Sequence, residues 1–477
     1  MTRYVIQSKP TSIVSDSRLV TPGALFLAYP GEQVDGRDYI ADAIQKGASA
    51  ILWEPRDFEW KAEWTIENSP VISLKQQASV IAGQFYKNPS EKLWVVGVTG
   101  TNGKTSVTQW LGQAFNYLHK KTAIIGTLGN GLLGDLAQTQ NTTPDAILLQ
   151  KLLADYVHQE VEAVAMEVSS HGLHQGRVKG IHFDVAVLTN LSRDHLDYHK
   201  TFERYAEAKK RLFLSEGLQY AVVNEDDAFG KALKAELSGL GVSVLTYGIG
   251  HGDVNASRVQ IENGRINFFV NTPYGQSDVS VRLIGRFNVY NTLAVLATLL
   301  VSEVSLVDAV EAIAYLQPIN GRMQLFGGDY LPLVVVDYAH TPDSLKNVLM
   351  ALKPEVKGRL VCVFGCGGDR DQGKREMMGQ VASELADAVV VTSDNPRSEN
   401  ADAIIQAILA GVNGEYAVEE NRAKAIAVAI NNAKFGDVVL IAGKGHEDYQ
   451  EIAGIKHHFS DAEEVEKALR RYEVSVA

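Results

Sequence analysis

Cysteine is nearly absent: Cys362 and Cys366 are the only two in 477 residues. That excludes a disulfide framework. Their spacing admits a thiol pair, but they flank the end of an apolar stretch, where packing is the expected role. No apolar run reaches membrane-spanning length, so no membrane span is expected. The start, Met1-Thr2-Arg3-Tyr4, lacks the apolar core of a secretion signal, which makes the cytoplasm the expected compartment. Positive charge is in deficit, with 45 Lys and Arg against 57 Asp and Glu, a net charge of -12. A general nucleic-acid binder carries the opposite balance, so no nucleic-acid partner is expected. Local basic pockets for anionic ligands stay open. Fixed-period repeats and low-complexity linkers are also missing. What is present is 45% hydrophobic and 21% charged, a globular composition. The length exceeds one core and implies two to four domains.

The most informative stretch is Gly100-Thr101-Asn102-Gly103-Lys104-Thr105-Ser106. Before it, Leu93-Trp94-Val95-Val96-Gly97-Val98-Thr99 is short and apolar, as a buried strand would be. After it, Val107, Trp110, Leu111, Ala114 and Leu118 recur at helical spacing. A glycine-rich turn from strand to helix aims backbone N–H groups and a helix N-terminus at one spot, which suits phosphate. Lys104 would add a point charge, and the Thr105 hydroxyl would reach Mg²⁺. The spacing departs from the usual P-loop, which has glycine where Val98 stands; Gly97 lies just before it. The plain alternative is an ordinary glycine turn. The joint occurrence of strand, Gly-Lys-Thr and helix favours nucleotide binding.

Residues 1 to about 90 read as a small α/β domain. Ala24–Ala28, Ala50–Trp53 and Val71-Ile72-Ser73-Leu74 are expected strands, and Tyr39, Ile40, Ala43 and Ile44 mark a helical face. From about Lys92, strands are expected at Ala163–Met166, Val185–Leu188 and Tyr220–Val223, with helices between the earlier ones, as in a parallel sheet with crossovers. Residues 240–283 alternate and carry turns at Asn263-Gly264 and Pro273-Tyr274-Gly275, the pattern of a small antiparallel appendage, and a helix follows from about Asn291 to Val301. The pattern restarts near Gly321-Arg322. Leu333–Asp337, Leu360–Phe364, Ala388–Val391 and Val438–Ile441 are expected strands of a second doubly wound domain.

Ligands of open α/β sheets bind beyond the C-terminal strand ends. One such end carries Glu167-Val168-Ser169-Ser170-His171-Gly172, and another Thr189-Asn190-Leu191-Ser192-Arg193-Asp194-His195-Leu196-Asp197-Tyr198-His199. Glu167 and Thr105 could share a metal on neighbouring strand ends, and hard oxygen ligands beside phosphates fit Mg²⁺. Asp194, His195, Asp197 and His199 also admit a zinc-hydrolase reading, but the adjacent glycine loop makes phosphate chemistry the more economical account. In the last region, Asp337-Tyr338-Ala339-His340, Gly365–Asp371, Asp394-Asn395-Pro396-Arg397 and Gly443-Lys444-Gly445-His446-Glu447 each follow a strand. One such loop is usually a turn; four at one sheet edge suggest a second ligand site.

Thr99–Thr105, Met166–Gly172, Thr189–Asp197 and Gly321-Arg322, in this order and spacing, resemble the Mur ligases of peptidoglycan synthesis. Asp394-Asn395-Pro396-Arg397 resembles the amino-acid-binding motif of their diaminopimelate-adding branch. The resemblance implies three α/β domains: 1–91 binding a UDP-sugar, 92–320 a central P-loop ATPase with a parallel sheet, and 321–477 a C-terminal Rossmann-like domain binding the amino acid. It implies an ATP-dependent acid–amino-acid ligase, acting as a monomer on ATP, a UDP-N-acetylmuramoyl-dipeptide and meso-diaminopimelate. It further implies that Gly100 to Ser106, Asn288, Arg322 and Asp337 bind ATP. Ser17, Glu32, Gln33, Val34, Asn141, Thr142, Thr143, Ser169, Gln175 and Arg177 would hold the UDP-dipeptide. Arg370, Asp394, Asn395, Pro396, Arg397, Gly443 and Glu447 would hold diaminopimelate. Thr105, Glu167, His195 and Lys209 would serve Mg²⁺, and Lys104, Glu167, His195 and Lys209 would be catalytic. Lys209, in Tyr205-Ala206-Glu207-Ala208-Lys209, would be N-carboxylated (N6-carboxylysine); periodicity alone reads it as a solvated helix lysine, like Lys210. Taken alone, Asp16-Ser17-Arg18 and Gly31–Arg37 are turns.

Two rivals share this architecture, a lysine-adding Mur ligase and a folylpolyglutamate synthetase; the Asp-Asn-Pro-Arg motif speaks against both. A rival of another class is a P-loop motor or switch, but no separate partner-binding region is evident.

Overall fold

The computed structural model describes residues 6–476, apart from 33, 140, 263–264 and 329–330. Gln33, Met1 to Tyr4 and the Asn263-Gly264 turn therefore lie outside the described residues. Among the described residues the strands form sheets of four, eleven and six members and one two-stranded hairpin.

The first sheet runs β1 (Ser12–Val14), β2 (Ala24–Ala28), β3 (Ala50–Trp53) and β4 (Glu67–Pro70) in sequence order, all parallel. β2 and β3 are buried on both faces, which is why they read as unbroken apolar runs. The expected strand at Val71–Leu74 is displaced. The fourth strand is Glu67–Pro70, a polar, half-buried edge strand, and Leu74 opens the helix Leu74–Phe85. Ser73 turns the chain between them with φ 57. A polar edge strand carries no apolar signal, so the apolar pair after it drew the reading.

The central sheet contains β5 (Trp94–Thr99), β6 (Thr122–Gly126), β7 (Gly129–Leu132), β8 (Asp135–Ala137), β9 (Ala163–Glu167), β10 (Val185–Leu188), β11 (Tyr220–Asn224), β12 (Ser243–Ile249), β13 (Val254–Glu262), β14 (Arg265–Thr272) and β15 (Gly275–Val281). Their spatial order is β15-β14-β13-β12-β11-β10-β5-β9-β6-β7-β8. From β12 to β6 all neighbours are parallel. Residues 240–283 do form antiparallel pairs, β13 with β14 and β14 with β15. They are not a separate appendage, because β12 pairs with β11 as well as with β13, so the sheet continues through them. The helices Lys104–Tyr117 and Arg286–Val301 pack on one face with Val96, Val98, Val107, Leu111 and Leu296 in the core. Ala146–His158 packs on the other with Val95, Leu149 and Met166. Each such fully buried Val, Leu or Met side chain contributes about 1.5–3 kcal/mol.

The last sheet contains β16 (Gln324–Gly327), β17 (Leu333–Asp337), β18 (Leu360–Phe364), β19 (Ala388–Val391), β20 (Tyr416–Val418) and β21 (Val438–Ala442), in the order β16-β17-β21-β18-β19-β20. Only β16 is antiparallel to its neighbour. The hairpin β22 (Tyr449–Ile452) and β23 (Ile455–His458) follows. Among the described residues no helix is long and apolar enough to cross a membrane. Cys362 and Cys366 are both free and buried, and the Cys366 Sγ lies 3.7 Å from the Met378 Sδ, in keeping with packing.

Register sets the two functional edges. Thr99 of β5 stands beside Leu188 of β10, and Val98 beside Glu167 of β9, so the loops after these strands emerge together. In the last sheet Asp337, Ala442, Phe364 and Val391 stand level, and four polar loops leave from that line.

Candidate active site

The glycine loop has the geometry its residues demand. Gly100 adopts φ 149, and a Cβ there would collide with the Thr189 hydroxyl. Gly103 adopts φ 84 at the N-cap of the helix Lys104–Tyr117. No side chain caps this helix, so its first N–H groups remain available to a ligand. The neighbouring loop braces the turn. Asn190 accepts from the Asn102 N–H at 3.0 Å and donates back to the Asn102 carbonyl at 3.0 Å. Lys104 is half-buried and its Nζ donates to the carbonyls of Gly100 and Thr101, each at 2.9 Å. Burial lowers its pKa, against the pull of Glu167 and Asp194.

Glu167, at the end of β9, is buried and densely held. Its Oε2 accepts from the Thr105 hydroxyl at 3.0 Å and from the Thr127 hydroxyl at 3.1 Å, and its Oε1 accepts from the Thr127 N–H at 2.8 Å. Arg322 reaches the same spot from the C-terminal side and donates through Nη2 to Thr105 Oγ1 at 3.2 Å. A hydroxyl and a carboxylate 3.0 Å apart beside a phosphate-type turn are hard oxygen donors, the set Mg²⁺ takes when it keeps waters and phosphate oxygens. Among the described residues no three His, Cys, Asp or Glu side chains converge on one point.

His195 sits beside this group in a left-handed conformation, φ 54, with Nε2 3.3 Å from Asp194 Oδ2. Burial pushes its pKa down to about 3, against the opposing pull of Asp194, so the imidazole is neutral and can donate a lone pair. His199 turns away instead, with its Nε2 3.0 Å from Ser170 Oγ.

Lys209 is almost fully buried, contrary to its periodicity. Its Nζ donates to the Gly100 carbonyl at 2.6 Å and lies 4.7 Å from the Tyr205 ring centroid. Burial, then repulsion from Lys104, holds its pKa well below the usual lysine value. Lys210 is half-buried and pairs with Glu207 and Glu236.

These residues line one cavity of about 1060 Å³. It takes in Thr101 to Ser106, Glu167, His195, Lys209, Asn288, Arg322 and Asp337 of the expected nucleotide and metal sets. Gly100 lies behind it. Asn288 is held by the Ile284 carbonyl and by Asn291, and Asp337 accepts from the Met323 N–H at 2.8 Å. Burial raises the Asp337 pKa. The same cavity takes in Glu32, Asn141, Thr142, Thr143, Ser169, Gln175 and Arg177 of the expected dipeptide set. Arg177 donates to the Thr143 carbonyl at 2.6 Å and to Gln175 Oε1 at 2.8 Å, and Gln175 bonds in turn to Glu32 of the first domain. Ser17 and Val34 do not line it; Ser17 is buried in a short 3₁₀ turn and Val34 is exposed.

A second cavity, of about 1220 Å³, is lined by Arg370, Asp394, Asn395, Arg397, Gly443 and Glu447. Pro396 is not on its wall. Arg397, φ 53, donates from Nη1 to the Gly368 carbonyl at 2.7 Å, and its Nε lies 3.5 Å from Glu451 Oε2. Its backbone bonds to Glu451 and Ala453, which ties the motif to the β22–β23 hairpin. The two cavities adjoin. Thr127, Asn141, Thr142, His171, Asp194, His195, Tyr338, His340 and Arg370 belong to both.

Several participants escaped the sequence reading. Thr127 follows β6, a strand that was not recognised. Asp343 opens the helix Pro342–Leu352 and accepts from Asn102 at 3.1 Å and Ser192 at 3.3 Å across the domain boundary. Nothing local marks a first-turn aspartate as a contact between domains.

The Mur ligase family catalytic domain pattern matches residues 10–86, the Mur ligase middle domain 98–299, and the Mur ligase glutamate ligase domain 321–445. The chain is 53% identical over 462 residues to UDP-N-acetylmuramoyl-L-alanyl-D-glutamate–2,6-diaminopimelate ligase of Chromobacterium violaceum, covering 96% of this chain and 94% of that one. It is 48% identical over 466 residues to the protein of the same name from Pseudomonas aeruginosa, covering 96% and 95%. A solved structure titled as that ligase superposes with a TM-score of 0.72 at 36% identity, over 99% of this chain and 100% of the other. The chain belongs to the Mur ligase family.

Proposed function

We propose that the chain joins meso-diaminopimelate to UDP-N-acetylmuramoyl-L-alanyl-D-glutamate at the expense of ATP, in peptidoglycan precursor synthesis. The observation that carries this is the junction of the two cavities. A glycine-loop site with Lys104, Thr105 and Glu167 opens onto a site lined by Asp394, Asn395 and Arg397. Full-length relatives at about half identity bear that activity in their names.

The glutamyl carboxylate and the γ-phosphate of ATP are both anions. Lys104 and Arg322 screen them as the carboxylate oxygen attacks phosphorus and ADP leaves, giving an acyl phosphate. Thr105 and Glu167 would hold one Mg²⁺, His195 would help hold a second, and the modified Lys209 would supply a further oxygen ligand; the bound ions would neutralise charge on the phosphate oxygens. The uncharged amine of diaminopimelate then attacks the acyl carbon, phosphate departs, and an amide forms with release of a proton. Closure of the domains excludes water, so aminolysis outruns hydrolysis.

Most of the remaining assigned residues line the two cavities; Gly100, Ser17, Val34 and Pro396 do not, and Gln33 lies outside the described residues. Gly100 to Ser106, Asn288 and Asp337 belong to ATP, with Asp337 near the ribose. Glu32, Asn141, Thr142, Thr143, Ser169, Gln175 and Arg177 belong to the muramoyl dipeptide, with Ser17, Gln33 and Val34 towards its UDP end. Arg370, Asp394, Asn395, Pro396, Arg397, Gly443 and Glu447 belong to diaminopimelate. Lys209 is carboxylated by carbon dioxide; its buried, easily neutralised amine is the species that forms a carbamate, and the product carries the negative charge a metal site needs. We assign the three domains to 1–91, 92–320 and 321–477, and take the enzyme to act as a cytoplasmic monomer.

Phosphate release tests the reading. A ligase releases phosphate rapidly only with ATP, UDP-dipeptide and diaminopimelate together. A motor or switch would release it in response to a macromolecule, and that result would overturn the proposal.

A further inference from the structure

Beneath the amino-acid cavity lies a cation with no assigned role. Lys444 is fully buried, and its Nζ donates to Asn395 Oδ1 at 3.0 Å and to Glu447 Oε2 at 2.9 Å. Asn395 Nδ2 donates to the same Glu447 Oε2 at 2.8 Å. The three side chains form a closed ring. Lysine has donors and no acceptor, so the ring admits only one orientation of the Asn395 amide: Oδ1 towards Lys444, Nδ2 towards Glu447. The Glu451 N–H, donating to Asn395 Oδ1 at 2.9 Å, enforces the same choice. Both of these contacts to Glu447 fall on Oε2, and Glu447 lines the cavity, so Oε1 is left for a ligand.

We propose that Lys444 is a positioning residue for the amino-acid substrate: it fixes the Asn395 amide and holds Glu447 as a carboxylate facing the cavity, where it accepts a hydrogen bond from a substrate ammonium group. This rests on the assignment of the cavity to diaminopimelate, which carries two such groups. The electrostatics agree. Burial raises the Glu447 pKa and Asp394 raises it further, while Lys444 and the Asn395 amide bring it down. Arg422, Tyr338 and Tyr449 also face this carboxylate. Arg422 is bound to Asp461 at 2.7 Å and cannot replace Lys444 as its direct partner. Without Lys444, Asn395 and Glu447 lose the donor that joins them, and with it the orientation in which Glu447 meets an ammonium.

The test is a set of three Michaelis constants for Lys444→Met. The KM for diaminopimelate is expected to rise about tenfold or more, the loss typical of a hydrogen bond to a charged group, with ATP and UDP-dipeptide constants within about twofold. A merely structural role would move all three constants together. Lys444→Arg restores the cation and should recover most of the loss. If the methionine variant does not fold, Lys444→Gln, neutral but still a donor, carries the same measurement. An equal loss for all three substrates, or an unchanged diaminopimelate KM, overturns the proposal. Glu447→Gln separates the two levels. If it leaves the diaminopimelate KM unchanged, the cavity assignment fails; if it raises that KM while Lys444→Met does not, only the role of Lys444 fails.

Discussion

Arg322 donates through Nη2 to the Thr105 hydroxyl, 3.2 Å away, while that hydroxyl donates to Glu167 at 3.0 Å. A residue at the start of the C-terminal sheet region thus touches the first turn of the glycine-loop helix. The glycine-loop region and the C-terminal region are therefore in direct contact, and Asp343 adds bonds to Asn102 and Ser192.

Lys104→Ala is expected to lower turnover by about 10²-fold or more, the scale on which one oriented charge-stabilising donor acts. The fold should survive, since Lys104 bonds only to loop carbonyls among the described contacts. Glu167→Ala should chiefly weaken the dependence on Mg²⁺. Steady-state kinetics with a thermal melt checks both; near wild-type turnover in either folded variant would remove the assigned site.

Lys209 is predicted to carry a carbamate. Its pKa is lowered by burial and by Lys104, so near neutral pH a larger share of the amine is uncharged and able to attack carbon dioxide. Removing bicarbonate should reduce turnover and restoring it should recover the rate, while ¹³C-labelled carbon dioxide should give a carbamate resonance that Lys209→Ala lacks. A bare amine in the active, Mg²⁺-bound enzyme would contradict this.

Much of the fold was legible because parallel strands buried on both faces read as short apolar runs; β5, β10, β18 and β21 are examples. The polar edge strand β4 was misplaced, and the glycine-rich β7 and its partner β8 were missed, because neither carries the alternation or apolar run that marks a strand. The site motifs were legible where they sit in one loop. Lys209 was singled out only by the resemblance; its burial was not legible from periodicity, since its hydrogen-bond partner, the Gly100 carbonyl, is 109 residues away in sequence. The Arg422–Asp461 pair, fully buried and joining two helices 39 residues apart, is invisible for the same reason.

Ligand binding should draw the domains together. The residues assigned to the three substrates lie on different sheets, and Gly321-Arg322 stands at their junction. Small-angle scattering should show a smaller radius of gyration with an ATP analogue, UDP-dipeptide and diaminopimelate all present than with none. An unchanged radius would mean that the closed site is preformed.

The choice of amino acid bears most directly on the whole account. Diaminopimelate is lysine with a second carboxylate at its far end, and Arg397 stands on the cavity wall with its Nη1 anchored to Gly368. A planar guanidinium so held can take a carboxylate in two parallel bonds. Lysine would bring no carboxylate to that guanidinium, leaving it only the 3.5 Å ion pair with Glu451, and sites built around such a polar contact reject its absence by about 10⁴-fold or more. The measurement is the mass and rate of formation of the product from ATP, UDP-N-acetylmuramoyl-L-alanyl-D-glutamate and either amino acid. The account predicts the diaminopimelate-containing tripeptide, with lysine turned over at least about 10³-fold less efficiently, and an Arg397→Ala variant that loses diaminopimelate use far more than ATP binding. Comparable turnover of the two amino acids by the unmodified enzyme would contradict it.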